Sequence, residues 1–197
     1  MNSRERLLTA LNHREPDRLP IDLGGTPTST ISATALENLK THLGIRSETR
    51  LASPIFLTAY PDDQLIRRFG VDVKMVTANP PAGFQLKTTA EGRVVDEWGA
   101  VYQKLEEAQT HFVVETEAPL HRVTSKEEIK RHPWPDPSDP SRVRGLKEIA
   151  RKYQRIEDLA PEGGFVLAAV HNLRPEVKPE NICALYDAAL EYGKYKG

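Results

Sequence analysis

A short apolar run near the end of the chain, Phe165 to Val170, most constrains what this sequence can fold into. The run has no polar alternation, which is typical of a strand buried on both faces, as in a parallel sheet. It stops at His171, and after a proline-containing loop a helix is predicted to open at Pro179, with Glu180 in its first turn. Because α/β folds present functional side chains at the carboxyl ends of such strands, the sequence predicts an α/β fold with His171 as a candidate site residue.

Length, charge and composition argue against a nucleic-acid-binding, membrane-spanning or secreted protein. The chain has 197 residues and a formal net charge of −1, which is enough for one core and gives no electrostatic argument for a nucleic-acid partner. No apolar stretch approaches the roughly 20 residues of a membrane helix, and no apolar signal core opens the chain. Cys183 is the one cysteine, which excludes an intramolecular disulfide and favours a cytoplasmic location.

Periodicity and capping residues predict the elements of the first two thirds. The residues Val, Tyr, Trp and Thr are frequent over 84–117, with partial alternation, which predicts an added antiparallel hairpin or small sheet. Thr124 and Glu127 are predicted to cap a short helix that ends before Pro133. The other predicted elements are helices over 2–13 with a capping box of Asn2 and Glu5, over 31–43 with Gly44 as C-cap, and from Tyr60-Pro61-Asp62-Asp63 to Gly70, and strands over 19–23 and 71–76.

Three regions, in order along the chain, carry a resemblance to a known family. They are Arg4-Glu5-Arg6-Leu7 with Pro16-Asp17-Arg18-Leu19-Pro20-Ile21-Asp22-Leu23-Gly24-Gly25, then Pro133-Trp134-Pro135-Asp136-Pro137, then His171-Asn172-Leu173-Arg174-Pro175 with Pro179-Glu180-Asn181. Together they resemble the uroporphyrinogen decarboxylase superfamily, which includes porphyrinogen decarboxylases and corrinoid-linked methyltransferases. The resemblance implies a (β/α)₈ barrel, a tetrapyrrole or methyl-corrinoid as small-molecule substrate, and carboxy-lyase or methyltransferase activity.

The chain is short for that fold, since a (β/α)₈ barrel usually needs about 250 residues. It resembles the family up to about Tyr153 and again from about Arg155, so the central block of barrel strands is absent. We therefore expect one truncated domain over 1–197, a partial (β/α)₈ barrel made of an N-terminal part, 1–153, and a returning β/α unit, 155–197. Apolar residues keep helical phase across the join, which predicts one helix over 143–159.

In a closed barrel the first and last strands are neighbours. We therefore expect the strand at 165–170 to pair in parallel with the strand at 19–23.

The resemblance also points to candidate catalytic residues. His171 matches the His of the family pattern His-Gly-Leu/Ile-x-Pro, which lies beside the substrate; a His that caps a loop is the alternative. Aligning Arg67-Arg68-Phe69 with the family pattern puts Asn79 at the place of the catalytic Asp. Asp72 lies nearby and is a second candidate, although a hydrogen bond at a strand end explains it as well.

Candidate substrate-binding residues follow the first predicted strand. The family uses two arginines in this loop to hold substrate carboxylates, and this chain has neither. Asp22, Gly24 and Gly25, together with His171, are the residues that could contact a substrate here. Gly24 and Gly25 could also cradle a phosphate, but the spacing of a phosphate-binding motif is absent and a tight turn explains the pair better.

No metal site and no cofactor is predicted. Structural and catalytic zinc sites need at least three protein ligands, and the His-x-Cys pair of the methyltransferase relatives is absent. Cys183 is interpreted as a small apolar residue of the last helix.

Three functional hypotheses follow from these features. The first is that the chain belongs to the decarboxylase or methyltransferase lineage but does not catalyse a reaction alone. The second is half of an enzyme completed by another chain, either a partner or a second copy in a homo-oligomer. The third is a non-catalytic binding module, because exposed strand edges recruit partners.

Overall fold

Short helices and strands are joined by long loops in the computed structural model. The structure describes residues 1–105, 110–113, 117–149, 167–168 and 173–194. The chain divides into a first unit, Met1–Val76 with Glu148–Gly197, and a second unit, Thr77–Lys147. The fold is of mixed α/β type, as predicted. The strands of the described ranges form small separate sheets and do not close into a barrel.

The elements have the following bounds. The helices are α1 (Ser3–Leu11), α2 (Ala33–Leu43), α3 (Asp63–Arg68), α4 (Lys126–Arg131) and α5 (Pro179–Tyr192), with a short 3₁₀ turn over Pro140–Val143. The strands are β1 (Ile21–Asp22), β2 (Ile31–Ser32), β3 (Leu51–Ser53), β4 (Thr58–Ala59), β5 (Lys87–Thr88), β6 (Val94–Val95), β7 (Val101–Leu105), β8 (Thr110–Val113) and β9 (Leu167–Ala168).

Three helix ends of the first unit lie where the capping residues predict them. Asn2 accepts from the backbone N–H of Glu5, and the Glu5 carboxylate accepts from that of Asn2, which completes the capping box of α1. Gly44 ends α2 in the left-handed conformation, with φ of 68°. Pro179 occupies the first turn of α5, where its missing N–H removes no hydrogen bond.

The expected pairing of the first and last strands is confirmed where the structure describes it. Strand β1 pairs in parallel with β9, with Ile21 opposite Leu167 and Asp22 opposite Ala168. The other residues of the predicted strand, including His171 just beyond it, lie outside the described residues.

Two predictions about the first unit need correction. Residues 71–76 form no strand: the Asp72 carboxylate accepts from the backbone N–H of Ile21 at 2.9 Å, so a side chain takes the place that a neighbouring strand's carbonyl would fill. The short strands β2, β3 and β4, which form an antiparallel sheet in the order β2-β4-β3, were not predicted.

Several helix boundaries differ from prediction: α1 ends at Leu11 rather than at residue 13, and α2 begins at Ala33 because Ile31 and Ser32 form β2. The cap of α4 is Ser125, which accepts from Glu128, one residue later than the predicted pair. The helix expected over 143–159 does not begin at 143, because Val143 ends a 3₁₀ turn and Gly145, with φ of +75°, makes a bend before the helical residues 146–149. Its predicted remainder lies outside the described part of the chain.

The core of the first unit lies between the helices and the short sheets. Phe69 and Tyr186 are both fully buried and stack with 4.9 Å between ring centroids, which joins the end of α3 to α5. The other buried residues of this hydrophobic cluster are Ile21, Leu23, Ile31, Ala35, Leu36, Leu39, Ala59, Leu65, Val71, Leu173, Ile182, Cys183 and Ala189.

The second unit is built on an antiparallel sheet in the order β5-β6-β7-β8. The predicted antiparallel region is therefore confirmed, as a four-stranded meander rather than a single hairpin. Over the described ranges, no helix combines the length and apolar character that crossing a membrane requires.

Candidate functional site

The carboxyl end of β1 carries three of the predicted site residues. Asp22 closes the strand, and Gly24 and Gly25 form the turn that follows it. The Asp22 carboxylate accepts from the backbone N–H of Gly25 at 2.6 Å, and the N–H of Gly24 donates to the carbonyl of Ser29 at 2.9 Å. Both glycine N–H groups are thus engaged within the turn, which favours a tight turn over a phosphate cradle.

Close packing explains why glycines occupy this turn. Gly24 has φ of +89°, and a Cβ on it would lie 2.7 Å from Cδ of Pro61. A Cβ on Gly25 would lie 2.4 Å from Cγ1 of Val73. The turn is held between two neighbouring segments, and this fixes the position of the Asp22 carboxylate.

Asp22 is a buried carboxyl group, only 5% exposed. Burial raises its pKa above the ordinary range of an aspartate, and hydrogen bonds from Ser29 and from Gly25 oppose that shift only in part. The hydroxyl of Tyr186 donates to the Asp22 backbone carbonyl at 3.3 Å. Groups with perturbed pKa values cluster at functional sites, so Asp22 stays a candidate site residue.

The raised pKa makes Asp22 a source of pH-dependent stability. The folded chain binds the Asp22 proton more tightly than the unfolded chain, so stability falls as the pH rises above the ordinary pKa of aspartate. We expect Asp22→Asn to gain stability relative to the wild type as the pH rises from the ordinary pKa of aspartate to the raised pKa of Asp22. Urea unfolding at a series of pH values measures the difference.

Asp187 supplies a control of opposite sign. The hydrogen bond from Arg68 lowers the pKa of Asp187, so Asp187→Asn should lose stability relative to the wild type as the pH rises, by at most about 1 kcal/mol because the pair is exposed. If Asp22→Asn and Asp187→Asn show the same trend, burial does not control the titration of Asp22.

Asp72, the second catalytic candidate, lies at the centre of a buried charged cluster. Its Oδ1 accepts from Arg6 at 2.7 Å and from Arg18 at 3.1 Å, and its Oδ2 accepts from Arg18 at 2.7 Å and from Ile21 at 2.9 Å. These bonds occupy the four lone-pair positions of a carboxylate. The arrangement favours the structural explanation of Asp72 over a catalytic one.

Arg6 and Arg18 hold this cluster together, and sequence reasoning did not identify either residue as part of the site. Arg6 also donates to both oxygens of Asp17, at 2.7 and 2.8 Å, and Arg18 donates to the carbonyl of Gly70 at 3.0 Å. Burial alone would raise the pKa of Asp17, but the Arg6 hydrogen bonds and charge lower it well below the usual range. Arg6 and Arg18 belong to the opening segments that carry the family resemblance. That position is the one sequence feature that could have indicated their importance.

Asn79, the third catalytic candidate, belongs to the second unit. Its amide nitrogen donates to the carbonyls of Ser141 at 2.9 Å and Arg144 at 2.8 Å, and its backbone N–H donates to that of Arg142. Both amide hydrogens are therefore used to hold the turn around Pro140–Val143. This engagement favours a structural role for Asn79.

His171 lies outside the described residues, and Leu173 is the described residue that lies nearest to it in sequence on its C-terminal side. The backbone N–H of Leu173 donates to Thr30 at 3.0 Å, and its carbonyl accepts from Ser32 at 2.8 Å. Leu173 is thus hydrogen-bonded alongside β2, where it forms a parallel bridge with Ile31.

An open cleft of about 310 Å³ lies beside the turn that follows β1. The sequence did not indicate it, because its residues come from four separate stretches of the first unit. They are Leu23, Gly24, Glu48, Arg50, Tyr60, Pro61, Asp62, Asp63, Ile66, Val73, Lys74 and Met75.

Metal-ligating side chains do not gather in the described part of the chain, where no three His, Cys, Asp or Glu residues are grouped to hold an ion. Cys183 is buried in the core, and burial raises the pKa of its thiol, which makes it a poor ligand or nucleophile. The absence of bound zinc stays a prediction, for metal analysis of protein purified without chelators.

Comparison with known proteins gives no relative. No family model, no curated protein and no solved structure matches the chain.

Proposed function

We propose that this chain is a partial α/β barrel of the uroporphyrinogen decarboxylase-like lineage that does not catalyse decarboxylation or corrinoid-linked methyl transfer on its own. The observation that carries the proposal is the parallel pairing of β1 with β9. These strands are far apart in sequence, and a parallel neighbour at the first strand is what the returning last strand of a barrel would supply. The motif segments at Pro16–Gly25 and His171–Pro175 flank these same strands.

The lack of independent catalysis is supported by how the candidate groups are used. The Asp72 carboxylate is saturated by Arg6, Arg18 and Ile21, and the Asn79 amide is bound to two backbone carbonyls. The Asp72 carboxylate has no lone pair left for a pyrrole N–H, and the uncharged Asn79 amide cannot carry the negative charge that stabilises a protonated pyrrole. Removal of one preorganised polar group commonly costs about 10²–10³ in rate, and an incomplete barrel also admits water.

A decarboxylation assay tests this proposal. Purified chain is incubated with uroporphyrinogen, with a full-length uroporphyrinogen decarboxylase as positive control, and coproporphyrinogen is measured. We expect no product above the uncatalysed background. Product formation that is abolished by His171→Ala would contradict the proposal and would make the chain a minimal enzyme.

A second candidate function is one half of an enzyme whose missing strands come from another chain. Within the described residues β9 pairs with β1 and with no other strand, and a strand supplied by another chain would pair with β9 on its second edge. Gel filtration of the chain, alone and mixed with a full-length relative, separates the possibilities. A stable complex that gains activity would favour completion by a partner or a second copy, and a complex without activity would favour a binding module.

A further inference from the structure

The cleft beside the turn after β1 has a size and lining suited to a small molecule. Its volume of about 310 Å³ is at the lower end of the range for ligand pockets. Leu23, Ile66, Val73 and Met75 supply an apolar surface. Such a surface binds an aliphatic group, and the charged side chains around it decide what else the ligand must carry.

Three of the cleft's charged side chains are already paired. Asp62 caps α3 through hydrogen bonds from the N–H groups of Gln64 and Leu65, and its other oxygen accepts from Ser47 at 2.6 Å. Lys74 donates to Asp63 at 2.9 Å. These hydrogen bonds hold the walls of the cleft in place. The charges of Lys74 and Asp63 cancel each other.

Glu48 and Arg50 are the other two charged residues that line the cleft. They are two positions apart in the segment that leads into β3, and both contribute to the same wall of residues around the cleft. Both are exposed, and neither takes part in an ion pair within the described residues. Besides the Asp62 carboxylate, which caps α3, the cleft therefore presents one carboxylate and one guanidinium that form no ion pair with each other.

The position of Arg50 is fixed by its neighbour across the sheet. The Tyr60 backbone N–H donates to the Arg50 carbonyl at 3.0 Å, and the Arg50 guanidinium lies 4.6 Å from the centre of the Tyr60 ring. Stacking on an aromatic ring holds the planar guanidinium without using its N–H donors. Those donors are free to bind a carboxylate.

We propose that this cleft binds a zwitterionic ligand, an α-amino acid with an aliphatic side chain. Arg50 binds the ligand carboxylate, Glu48 binds its ammonium group, and the side chain lies against Ile66, Val73 and Met75. This inference does not depend on the lineage or on the catalytic competence proposed above.

A set of matched ligands tests the proposal on the intact chain. L-Leucine carries both charges, isocaproate has the same skeleton without the ammonium group, and isoamylamine has it without the carboxylate. Binding is followed by chemical-shift changes in protein NMR spectra. Because exposed ion pairs contribute little, we expect millimolar dissociation constants, with leucine binding about two- to fivefold more tightly than either analogue.

Substitutions then assign each charge to its residue. Arg50→Gln should remove the preference for leucine over isoamylamine, and Glu48→Gln should remove the preference for leucine over isocaproate. Arg50→Lys should keep part of the preference, because it keeps the charge. Arg46→Gln is the matched control, since Arg46 is an exposed arginine of the same segment outside the cleft lining.

The outcomes are distinct. Leucine preference that is lost in Arg50→Gln and Glu48→Gln but kept in Arg46→Gln supports the proposal. Absence of a saturable shift with leucine, or equal affinity for leucine and both analogues, overturns it. Circular dichroism of each variant checks that the fold is retained, and a decarboxylase result of either sign leaves this test unchanged.

Discussion

Replacing Asp72 with asparagine should lower the free energy of unfolding by about 3–5 kcal/mol, the usual cost of removing one partner from a buried ion pair. The Asp72 side chain is fully buried, and the side chains of Arg6 and Arg18 are only 7% and 16% exposed. Asparagine keeps the size of the side chain but removes the charge that balances these two guanidinium groups. Its amide nitrogen would also face N–H donors. Urea unfolding followed by circular dichroism measures the loss.

Asp187→Asn is the matched control for this experiment. Asp187 binds Arg68 through two hydrogen bonds, of 2.5 and 2.9 Å, but the two side chains are 43–45% exposed. Exposed pairs contribute at most about 1 kcal/mol, so this variant should unfold nearly as the wild type does. If both variants lose the same stability, the charged cluster does not hold the first unit together.

The sequence predicted the role of Asp72 only in part. The strand-end hydrogen bond was one of two explanations offered for Asp72, and the structure favours it. The sequence gives no direct sign that Arg6 and Arg18, which are 66 and 54 residues away from Asp72, converge on it. Long-range charge pairing of this kind leaves no local periodicity or spacing.

Local signals predicted several helix ends well. The capping box of Asn2 and Glu5, the left-handed Gly44 and the N-terminal Pro179 each act through backbone groups within a few residues, so their effect can be read locally. The pairing of β1 with β9 was predicted from the family resemblance instead. Periodicity alone does not identify a partner strand.

Elements that are too short or too dependent on tertiary contacts were missed. Strands β2 and β4 have two residues each, which is shorter than any alternation pattern. Residues 71–76 have strand-like composition, but Asp72 binds Ile21 with its side chain and backbone, and no ladder forms. The cleft was missed for a related reason: Glu48, Arg50 and Lys74 meet only after the chain folds.

The turn that carries Asp22 provides the second large expected effect. Gly24→Ala should lower the free energy of unfolding by about 2–4 kcal/mol, from two causes that add. An alanine at φ of +89° is strained by about 1 kcal/mol or more, and its Cβ would lie 2.7 Å from Cδ of Pro61, a rigid ring that cannot move aside as a flexible chain would. Urea unfolding of the variant gives the size of the loss.

Gly44→Ala separates the two causes. Gly44 has φ of +68°, but no atom lies within 4 Å of the position its Cβ would take, so this variant should lose only the strain, about 1 kcal/mol. The difference between the two variants then measures the packing of the turn against Pro61, since both glycines are left-handed and belong to the first unit. Equal losses would mean that the turn shifts freely, and a turn that shifts could not fix the Asp22 carboxylate or the adjoining wall of the cleft.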